Sequence, residues 1–439
     1  MAGPAGGMQS IAFDPADPRA ALSALPERPA VFALYGAEAH AEPYIGRTPN
    51  LRGRLARLLE PSPRHPRRLQ LAGRVRRIAF ALSGSDFESL LAQFALLSEV
   101  YGPRALERMH LRPPAFIRYL GGNPYPRLVV TNKPSQREAD WAYGPFASRA
   151  AAERFAEEVL KLFLLRRCTD DLHPDPSHPG CVYSEMKMCL APCYKGCSDA
   201  RYAEEADAVE SFLATRGENR LVRLRTERDR ASEELAFESA AAVHAQVQRV
   251  EVVRALAPEL VRPMSHLRAV ILQNSAAADE VSIFLFEKGL LRGPAGFSTL
   301  GMRIQNERSG SSSLFAQPIA VEAIPEGGQE PAAEDASKIH RGLLEARLEA
   351  AISELKLPLA PPNPVTRQGH LALLKRWYYR PEARRPGEIF FPDQQERWPI
   401  KAILRGAGRI AARAIAGRRE GSDSGGPVAP AEDRSIPGR

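Results

Sequence analysis

All five cysteines of this 439-residue chain fall within thirty residues, a concentration that indicates a metal site. Soft thiolate ligands suit zinc and iron–sulfur clusters alike. No CxxC pair is present, which weakens the case for a zinc ribbon. The alternative is a set of buried thiols that pack as small apolar side chains. The cysteines, spaced C-x12-C-x7-C-x3-C-x3-C, are Cys168, Cys181, Cys189, Cys193 and Cys197.

A second stretch with chemical potential is YIGRTPNLRGRL at 44–55. Its Tyr44, Arg47 and Arg54 supply a phenol and two guanidinium groups, which can hold a phosphate and act on it. Ten arginines lie between residues 44 and 80 against a single acid, Glu60. Such a run is often only a solvated face, but here it surrounds a candidate phosphate site, so we expect contacts with a nucleic-acid backbone. The candidate contact residues are Arg52, Arg57, Arg67 and Arg68.

The composition is typical of a soluble globular protein, with 44% apolar and 26% charged residues. The length predicts about two to four domains. A net charge of +8 permits a nucleic-acid partner without proving one. We see no signal peptide and no apolar run of the ~18 residues that a membrane span needs, which predicts a cytoplasmic protein with no membrane partner. In that reducing compartment, cysteines bind metal more often than they form structural disulfides.

The elements that position these residues follow from the spacing of apolar side chains, which predicts an α+β multidomain protein. Short strands at 28–36 and 44–46 precede helices at 50–60 and 85–102, and together they make a small α/β domain. Strands FIRYL, PRLVVT and YGPF come next, followed by a helix at 147–168. The cysteine segment comes after this helix.

The remainder of the chain divides into a helical part and a strand-rich part. The polar helical composition of 199–258 suits a helical hairpin or short coiled coil. Strand-like segments at 269–273 and 280–293 open a further α/β region, which a linker at 323–337 interrupts. The predicted boundaries are an N-terminal extension at 1–27, a nuclease-like domain at 28–108, a strand and helix segment with the cysteine cluster at 109–200, a helical hairpin at 201–258, a partial α/β region at 259–416 and a disordered tail at 417–439.

The motifs occur in an order that resembles one family. The order is YIG-x7-R, NPYPRLVV, YGPF, FLLRRC…GCVY…KMCLAPC and LAFESAA. It resembles UvrC, the nuclease component of the bacterial UvrABC excinuclease of nucleotide-excision repair, from about residue 27 to about residue 412. The chain stops before that family's RNase H-like nuclease domain and helix-hairpin-helix module. The resemblance therefore implies a truncated member with at most one of two cutting sites.

The resemblance also implies a cofactor and a partner. Cys168, Cys181, Cys189 and Cys193 match the family's ligands for a 4Fe–4S cluster, with zinc as the alternative, and Cys197 would be spare. Residues 231–248 resemble the hairpin that binds the helicase UvrB, and UvrA is the further possible partner. The matching hairpin residues are Phe237, Glu238, Ala240 and Ala241.

For the first domain the resemblance implies a GIY-YIG nuclease fold that hydrolyses a phosphodiester with one Mg²⁺ or Mn²⁺ ion. Tyr44 would accept or orient the proton of the attacking water, and Arg54 would neutralise charge on the phosphate. Arg47 stands where the family usually has lysine. Gln93 stands where the family has its metal-binding glutamate, and a neutral amide is a weaker ligand for a hard cation.

Other positions depart from the family as well. Phe32 replaces a tyrosine of the first motif, and Leu106 replaces an asparagine. Asp86 or Glu88 could substitute as metal ligand if the helix that carries them rotated or slipped. In the hairpin, His244 and Ala245 replace an arginine and an aspartate, which leaves a plain coiled coil without a partner as the alternative.

Three interpretations remain at this stage. The chain could be a structure-selective endonuclease that makes a single incision, or a DNA- and partner-binding protein that has lost metal-dependent cutting. A structural or redox-responsive iron–sulfur module is the third. Gln93 and Leu106 favour the second interpretation, Tyr44 and Arg54 favour the first, and the basic stretch speaks against the third.

Overall fold

The computed structural model describes residues 8–38, 41–60, 71–133, 142–300, 333–356, 363–393 and 395–423, with the backbone alone for 333–340 and 417–423. Three antiparallel sheets of four strands each form within these residues, together with helices that cover them. The predicted α+β class is therefore confirmed. No helix among the described residues is both long enough and apolar enough to cross a bilayer.

The first domain is a sheet with strand order β1-β4-β2-β3, covered by helices on both faces. Leu51, Leu55 and Leu58 of α2 recur at helical spacing and are buried, and the Asn50 side chain caps the helix by accepting from Gly53 N at 2.8 Å. Its elements are β1 (Gln9–Ala12), α1 (Pro18–Ser23), β2 (Ala30–Gly36), β3 (Tyr44–Thr48), α2 (Leu51–Leu59), β4 (Val75–Leu82), α3 (Asp86–Tyr101) and α4 (Ala105–Arg108).

Two expectations for this domain are wrong. Residues 1–27 are not merely an extension, because β1 pairs with β4 in the register Ile11↔Ile78. The domain also has four strands, not two. In the missed strand β4, exposed Arg76 and Arg77 interrupt the apolar pattern between buried Val75 and the buried Ile78 and Phe80.

The middle domain contains the cysteine segment. Its sheet has the order β6-β5-β7-β8, and its core joins that sheet to four of the helices. The predicted helical stretch at 199–258 is confirmed, as three successive helices of which the last two pair as a hairpin. The elements are β5 (Ala115–Tyr119), β6 (Leu128–Thr131), β7 (Ala142–Phe146), α5 (Arg149–Leu162), α6 (Val182–Glu185), α7 (Asp199–Ala214), α8 (Glu218–Glu233), α9 (Phe237–Ala255) and β8 (Arg262–Pro263).

The third domain is a sheet of order β11-β10-β9-β12 with helices on both faces. The single strand expected at 280–293 is a hairpin that turns at Lys288 and Gly289, both at positive φ. The last helix continues into the range predicted as a disordered tail, while 424–439 and the linker part at 323–332 lie outside the described residues. The elements are β9 (Ala269–Asn274), β10 (Glu280–Glu287), β11 (Leu290–Ser298), α10 (Ala333–Glu354), α11 (Pro364–Tyr378), β12 (Glu388–Phe390) and α12 (Ile400–Asp423).

Helix α3 joins the first domain to the third. Its apolar side contributes Phe87 and Phe94 to a core that also contains Phe284 of β10 and Trp377 of α11. Phe87 lies edge-on to Phe284, with ring centroids 5.2 Å apart, and 5.3 Å from Trp377. The start of α3, with Asp86 and Glu88 in its first turn, is therefore positioned by both domains.

Candidate cysteine site and nuclease-like site

Four of the five cysteines line one cavity between the end of α5 and the start of α7. They are Cys168, Cys181, Cys189 and Cys193, the set that the sequence predicted as metal ligands, and Cys197 is not among the lining residues. Arg166, Arg167, Leu172, Tyr183 and Pro192 complete the wall.

Short turns bring these thiols together. Cys181 precedes α6, and its backbone N–H donates to Ser184 Oγ at 2.9 Å while Ser184 Oγ donates to Cys181 O at 2.6 Å. Cys193 lies in a single turn whose flanking residues, Ala191 and Lys195, both have left-handed backbone conformations. Cys181 and Cys193 are thus placed by contacts within a few residues of their own positions.

Arg166 is a buried cation beside the thiols. Its residue is only 1% exposed, and its guanidinium donates to Tyr125 O at 2.9 Å and Asp170 O at 2.8 Å. Nη1 also lies 3.5 Å from Cys168 Sγ, while Nη2 is buried with no hydrogen-bond partner among the described residues. No carboxylate of the described chain forms an ion pair with Arg166. A buried guanidinium without a counter-ion is costly, so this wall of the cavity suits an anion.

The thiols themselves are partly buried. Burial raises the pKa of Cys189 and of Cys193, and the neighbouring cysteines raise both further. Within the described residues, no three His, Cys, Asp or Glu side chains are arranged to hold a single metal ion. The four thiols nevertheless line one cavity. Soft sulfur ligands beside a buried cation are of a chemistry that fits an anionic iron–sulfur cluster, and four thiolates suit zinc as well.

The nuclease-like residues are less well assembled. Tyr44 opens β3 and is half-buried, with its ring 6.1 Å from that of Phe32 on the neighbouring strand. Arg54 lies on α2 and Gln93 in the middle of α3, and both are partly exposed. In the described part of the chain, no hydrogen bond or ion pair joins Tyr44, Arg54 and Gln93 to one another.

Phe32, where the family has a tyrosine, serves the core. It is fully buried, and its ring covers Gly46, where an added Cβ would lie 2.7 Å from the ring tip. Leu106, where the family has an asparagine, packs against the core shared by the first and third domains. Phe32 and Leu106 therefore both pack an apolar side chain against a core, at positions where the UvrC family has a polar group.

Asp86 and Glu88, the carboxylates that could have replaced the metal ligand, are both engaged. Asp86 pairs with Arg47 and with Arg380, the latter at 2.9 Å. Burial alone would raise the pKa of Asp86, but the hydrogen bonds and charges of Arg380 and Arg47 outweigh it and hold that pKa below its usual value. Glu88 is buried and accepts from Gly84 N at 2.9 Å, and burial raises its pKa.

The basic stretch is only partly available to a ligand. Arg52 donates to Leu25 O at 2.7 Å and to Ser23 O at 3.2 Å, and it pairs with Glu27, so it ties α2 to the segment after α1. Arg57 is exposed and its Nε donates to the carbonyl of its own helix at Gly53. The predicted contacts Arg67 and Arg68 lie outside the described residues.

The predicted partner-binding residues lie at the tip of the α8–α9 hairpin. Phe237 is 66% exposed and its neighbour Leu235 is 72% exposed, which is unusual for large apolar side chains. Glu238 and Ala241 are exposed, and Ala240 is partly exposed. His244, one of the departures from the family, is exposed and hydrogen-bonded to Gln248 at 3.2 Å.

Two functional candidates were missed in the sequence. Arg166 was visible in FLLRRC directly before the first cysteine, but its burial was not. Arg380 lies 294 residues beyond Asp86, so no local pattern could have connected the two.

Two comparisons relate parts of the chain to known proteins. The family model of the UvrC/Cho excinuclease middle domain matches residues 116–212. UvrABC system protein C of Alcanivorax borkumensis is 26% identical over 238 residues, which are 54% of this chain and 39% of that protein. The same protein of Pseudomonas fluorescens is 28% identical over 233 residues, or 53% of this chain and 38% of the relative. The protein of Salmonella typhimurium is 28% identical over 237 residues, with shares of 53% and 38%.

The matches cover only part of each protein. The alignments span less than two fifths of the length of these relatives. No solved structure matches the chain. The middle-domain match contains all five cysteines, and the resemblance to UvrC that the motifs indicated is confirmed. The chain therefore contains a segment like the UvrC/Cho middle domain, and about half of it is similar to UvrABC system protein C.

Proposed function

We propose that this chain is a nucleotide-excision-repair protein that binds distorted DNA through its first domain and does not cut it. Its relatives are UvrABC system proteins, which supports the repair role. The exposed arginines of β4 and α2, together with Tyr44 and Arg54, supply a surface for phosphates.

One observation carries the absence of cutting. Both carboxylates near the expected metal position are occupied, Asp86 by two guanidinium groups and Glu88 by the backbone N–H of Gly84. The residue at the family's ligand position is the neutral Gln93. A hard divalent ion therefore lacks an anionic ligand there, and the rate advantage of metal catalysis is lost.

The second candidate is an active endonuclease that makes a single incision. A specific observation favours it, because Tyr44 and Arg54 have no intramolecular side-chain hydrogen bond or ion pair among the described residues. A phenol and a guanidinium group left open at one domain surface are what the phosphate chemistry requires. Its metal ligand would have to be recruited by releasing Asp86 from its arginines.

The experiment uses the full chain, purified without oxygen, and a labelled bubble duplex with Mg²⁺ or Mn²⁺. We expect salt-dependent binding with no nicking by the wild-type protein, and nicking by Gln93→Glu because the carboxylate restores an anionic ligand. The double variant Gln93→Glu/Tyr44→Phe is the matched control and should bind without nicking. Nicking by the wild-type chain that Tyr44→Phe abolishes would establish the second candidate instead.

The cysteine site is part of the proposal. We propose that Cys168, Cys181, Cys189 and Cys193 hold a 4Fe–4S cluster. The four thiols line one cavity with the buried guanidinium of Arg166 in its wall, which suits an anionic cluster, and zinc is the alternative. The cluster would bring delocalised negative charge to the buried face of Arg166, and the thiolates of this chain would anchor and orient it.

We further propose that the hairpin tip binds a UvrB-type partner, because Leu235 and Phe237 expose apolar surface at the end of a paired-helix projection. Phe237→Ala should weaken capture of purified UvrB by at least about tenfold, as an apolar hot-spot residue does. Val252→Ala, which shortens an equally exposed side chain far from the tip of α9, is the control. Equal capture by both variants would exclude the tip as the contact.

A further inference from the structure

Asp86 lies between two arginines that belong to different domains. Arg47 projects from β3 of the first domain, and Arg380 follows α11 of the third domain. The side chains of Arg47 and Asp86 are each 34% exposed, and that of Arg380 is 27% exposed. No other carboxylate in the described chain pairs with Arg47 or Arg380. The cluster is therefore open to solvent and carries one excess positive charge.

The position of Arg380 does not depend on this ion pair. Gly369 of α11 lies so close to α3 that an added Cβ would be 2.0 Å from the Phe94 ring. Phe87 packs on Trp377, three residues before Arg380, and Tyr379 OH donates to Pro145 O at 2.8 Å. Buried aromatic packing thus holds the end of α11 beside α3, whereas exposed ion pairs contribute little to stability. If the cluster only stabilised the fold, there would be no reason for Arg47 and Arg380 to share one carboxylate.

The arrangement matches what a phosphodiester requires. A phosphate group carries the same single charge as a carboxylate and presents its oxygens to arginine in the same forked geometry. Arg47 lies on β3, the strand that begins with Tyr44, but side chains three residues apart on a strand point to opposite faces, so the cluster lies on the α3 side of the sheet. The low pKa of Asp86 shows that both guanidinium groups favour an anion between them, since they outweigh the cost of burying its charge.

We propose that Arg47 and Arg380 form one clamp for a DNA backbone phosphate, and that Asp86 holds the anion position of this clamp while no DNA is bound. The clamp rests on the proposed DNA-binding function and extends it to the third domain. Binding replaces the Asp86 carboxylate by a phosphate at both arginines. The carboxylate thereby opposes binding, and the clamp makes DNA affinity depend on the packing of two domains.

The test measures binding of a fluorescent bubble duplex by the full chain over a series of salt concentrations. Arg380→Gln should weaken binding by about tenfold and lower the slope of log affinity against log salt by about 0.9, the value of one lost phosphate contact. Arg380→Lys keeps the charge without the fork and should fall between wild type and Arg380→Gln. Asp86→Asn should tighten binding by about threefold or more, because it removes the competing anion.

Arg384→Gln is the matched control, since it removes the same charge from an exposed side chain four residues further along. It should leave the slope unchanged. Thermal unfolding of each variant verifies that it is folded. Weaker binding by Asp86→Asn, or equal slopes for Arg380→Gln and Arg384→Gln, would overturn the clamp while wild-type binding keeps the proposed function. A wild-type chain that does not bind DNA would overturn both.

Discussion

The cysteine site and the nuclease-like site differ in how their residues are brought together. The four cysteines lie between Cys168 and Cys193 and line one cavity through turns of a few residues each. The nuclease-like residues are spread over β3, α2 and α3, and Arg380, which pairs with Asp86 at the start of α3, comes from the third domain. The first site is local in the chain, whereas the second depends on contacts between domains.

Because of this difference, we expect amino-acid substitutions elsewhere in the chain to affect the two sites differently. A local site keeps its ligands together as long as one segment folds, because short loops cost little entropy to close. A site assembled from several elements depends on the packing of each of them. In this chain Phe32 is buried in the core of the first domain, Leu106 packs against the core shared with the third domain, and Asp86 pairs with two arginines.

Loss of one ligand should abolish the cysteine site outright. Cys189→Ser should lose most of its bound iron, because a hydroxyl replaces a soft thiolate, while Cys197→Ser should keep about four iron atoms per chain. The content of iron and acid-labile sulfide per chain is measured in protein purified without oxygen. One zinc per chain would make the site a zinc site, and equal iron in both variants would remove the assignment of ligands.

Removal of the buried cation Arg166, which lines the cavity, should destabilise the cysteine site. Arg166→Met should lower the free energy of unfolding by about 3 to 5 kcal/mol, because it leaves buried negative charge unpaired. Arg149→Met is the control, since its pair with Glu153 is exposed and should contribute no more than about 0.5 kcal/mol. Chemical denaturation of both variants and of the wild-type chain measures these free energies of unfolding. Unchanged or increased stability in Arg166→Met would indicate neutral, unliganded thiols.

Mild acid should weaken the domain contact on which the nuclease-like site depends. His370 of α11 accepts from Leu291 N at 3.0 Å beside the Phe94 ring, and burial lowers its pKa to about 4. The unfolded chain binds a proton near pH 6.5 and the folded chain does not. Stability from this group is therefore complete above about pH 6.5 and falls by about 3 kcal/mol as the pH drops toward 4.

The pH dependence can be measured by denaturation at several pH values, followed by tryptophan fluorescence. His370→Gln should flatten the curve between pH 6.5 and 4, whereas His244→Gln, which removes an exposed histidine on α9, should not. A curve of the same steepness in His370→Gln would assign the acid sensitivity to other groups.

A methyl group at Gly84 should loosen the first domain from the third. An added Cβ there would lie 2.2 to 2.4 Å from backbone atoms of Asn274, Ser275 and Ala276. Because backbone cannot turn aside as a side chain can, Gly84→Ala should destabilise the protein by about 1 to 3 kcal/mol. Gly122→Ala, which adds its methyl group to open space, is the control in the same unfolding assay. Equal stability of the two variants would contradict the close contact.

The predictability of the fold varied with the strength of the local signal. Helix α3 was predicted within one residue at each end, because Ser85 caps its start, Gly102 follows its end, and Leu90, Phe94 and Leu97 recur at helical spacing. Strand β1 was missed because only four residues pair and most are exposed. The end of β10 was missed because Lys288 and Gly289 turn the chain inside an apolar run.

For the candidate sites, too, the success of prediction depended on how local the signal in the sequence was. The proximity of the four cysteines could be predicted because they lie close together in one segment of the chain, whereas their role as metal ligands remains a prediction. Arg52 was predicted as a DNA contact, but the structure engages it with Leu25 O and Ser23 O. A guanidinium group can serve either role, and sequence spacing does not distinguish a solvated arginine from one that ties two elements together.

The resemblance to UvrC supplied the choice of four cysteines and the position of Gln93. The sequence by itself determined the clustering of the five cysteines and the helical stretch at 199–258. These depend on residue types and short spacings, which act over one or two turns of chain. Only the tertiary structure decided that Arg166 is buried without a counter-ion and that Arg380 meets Asp86 and Arg47. Burial and long-range pairing arise from the packing of whole domains, in which aromatic side chains far apart in sequence bring the charges together.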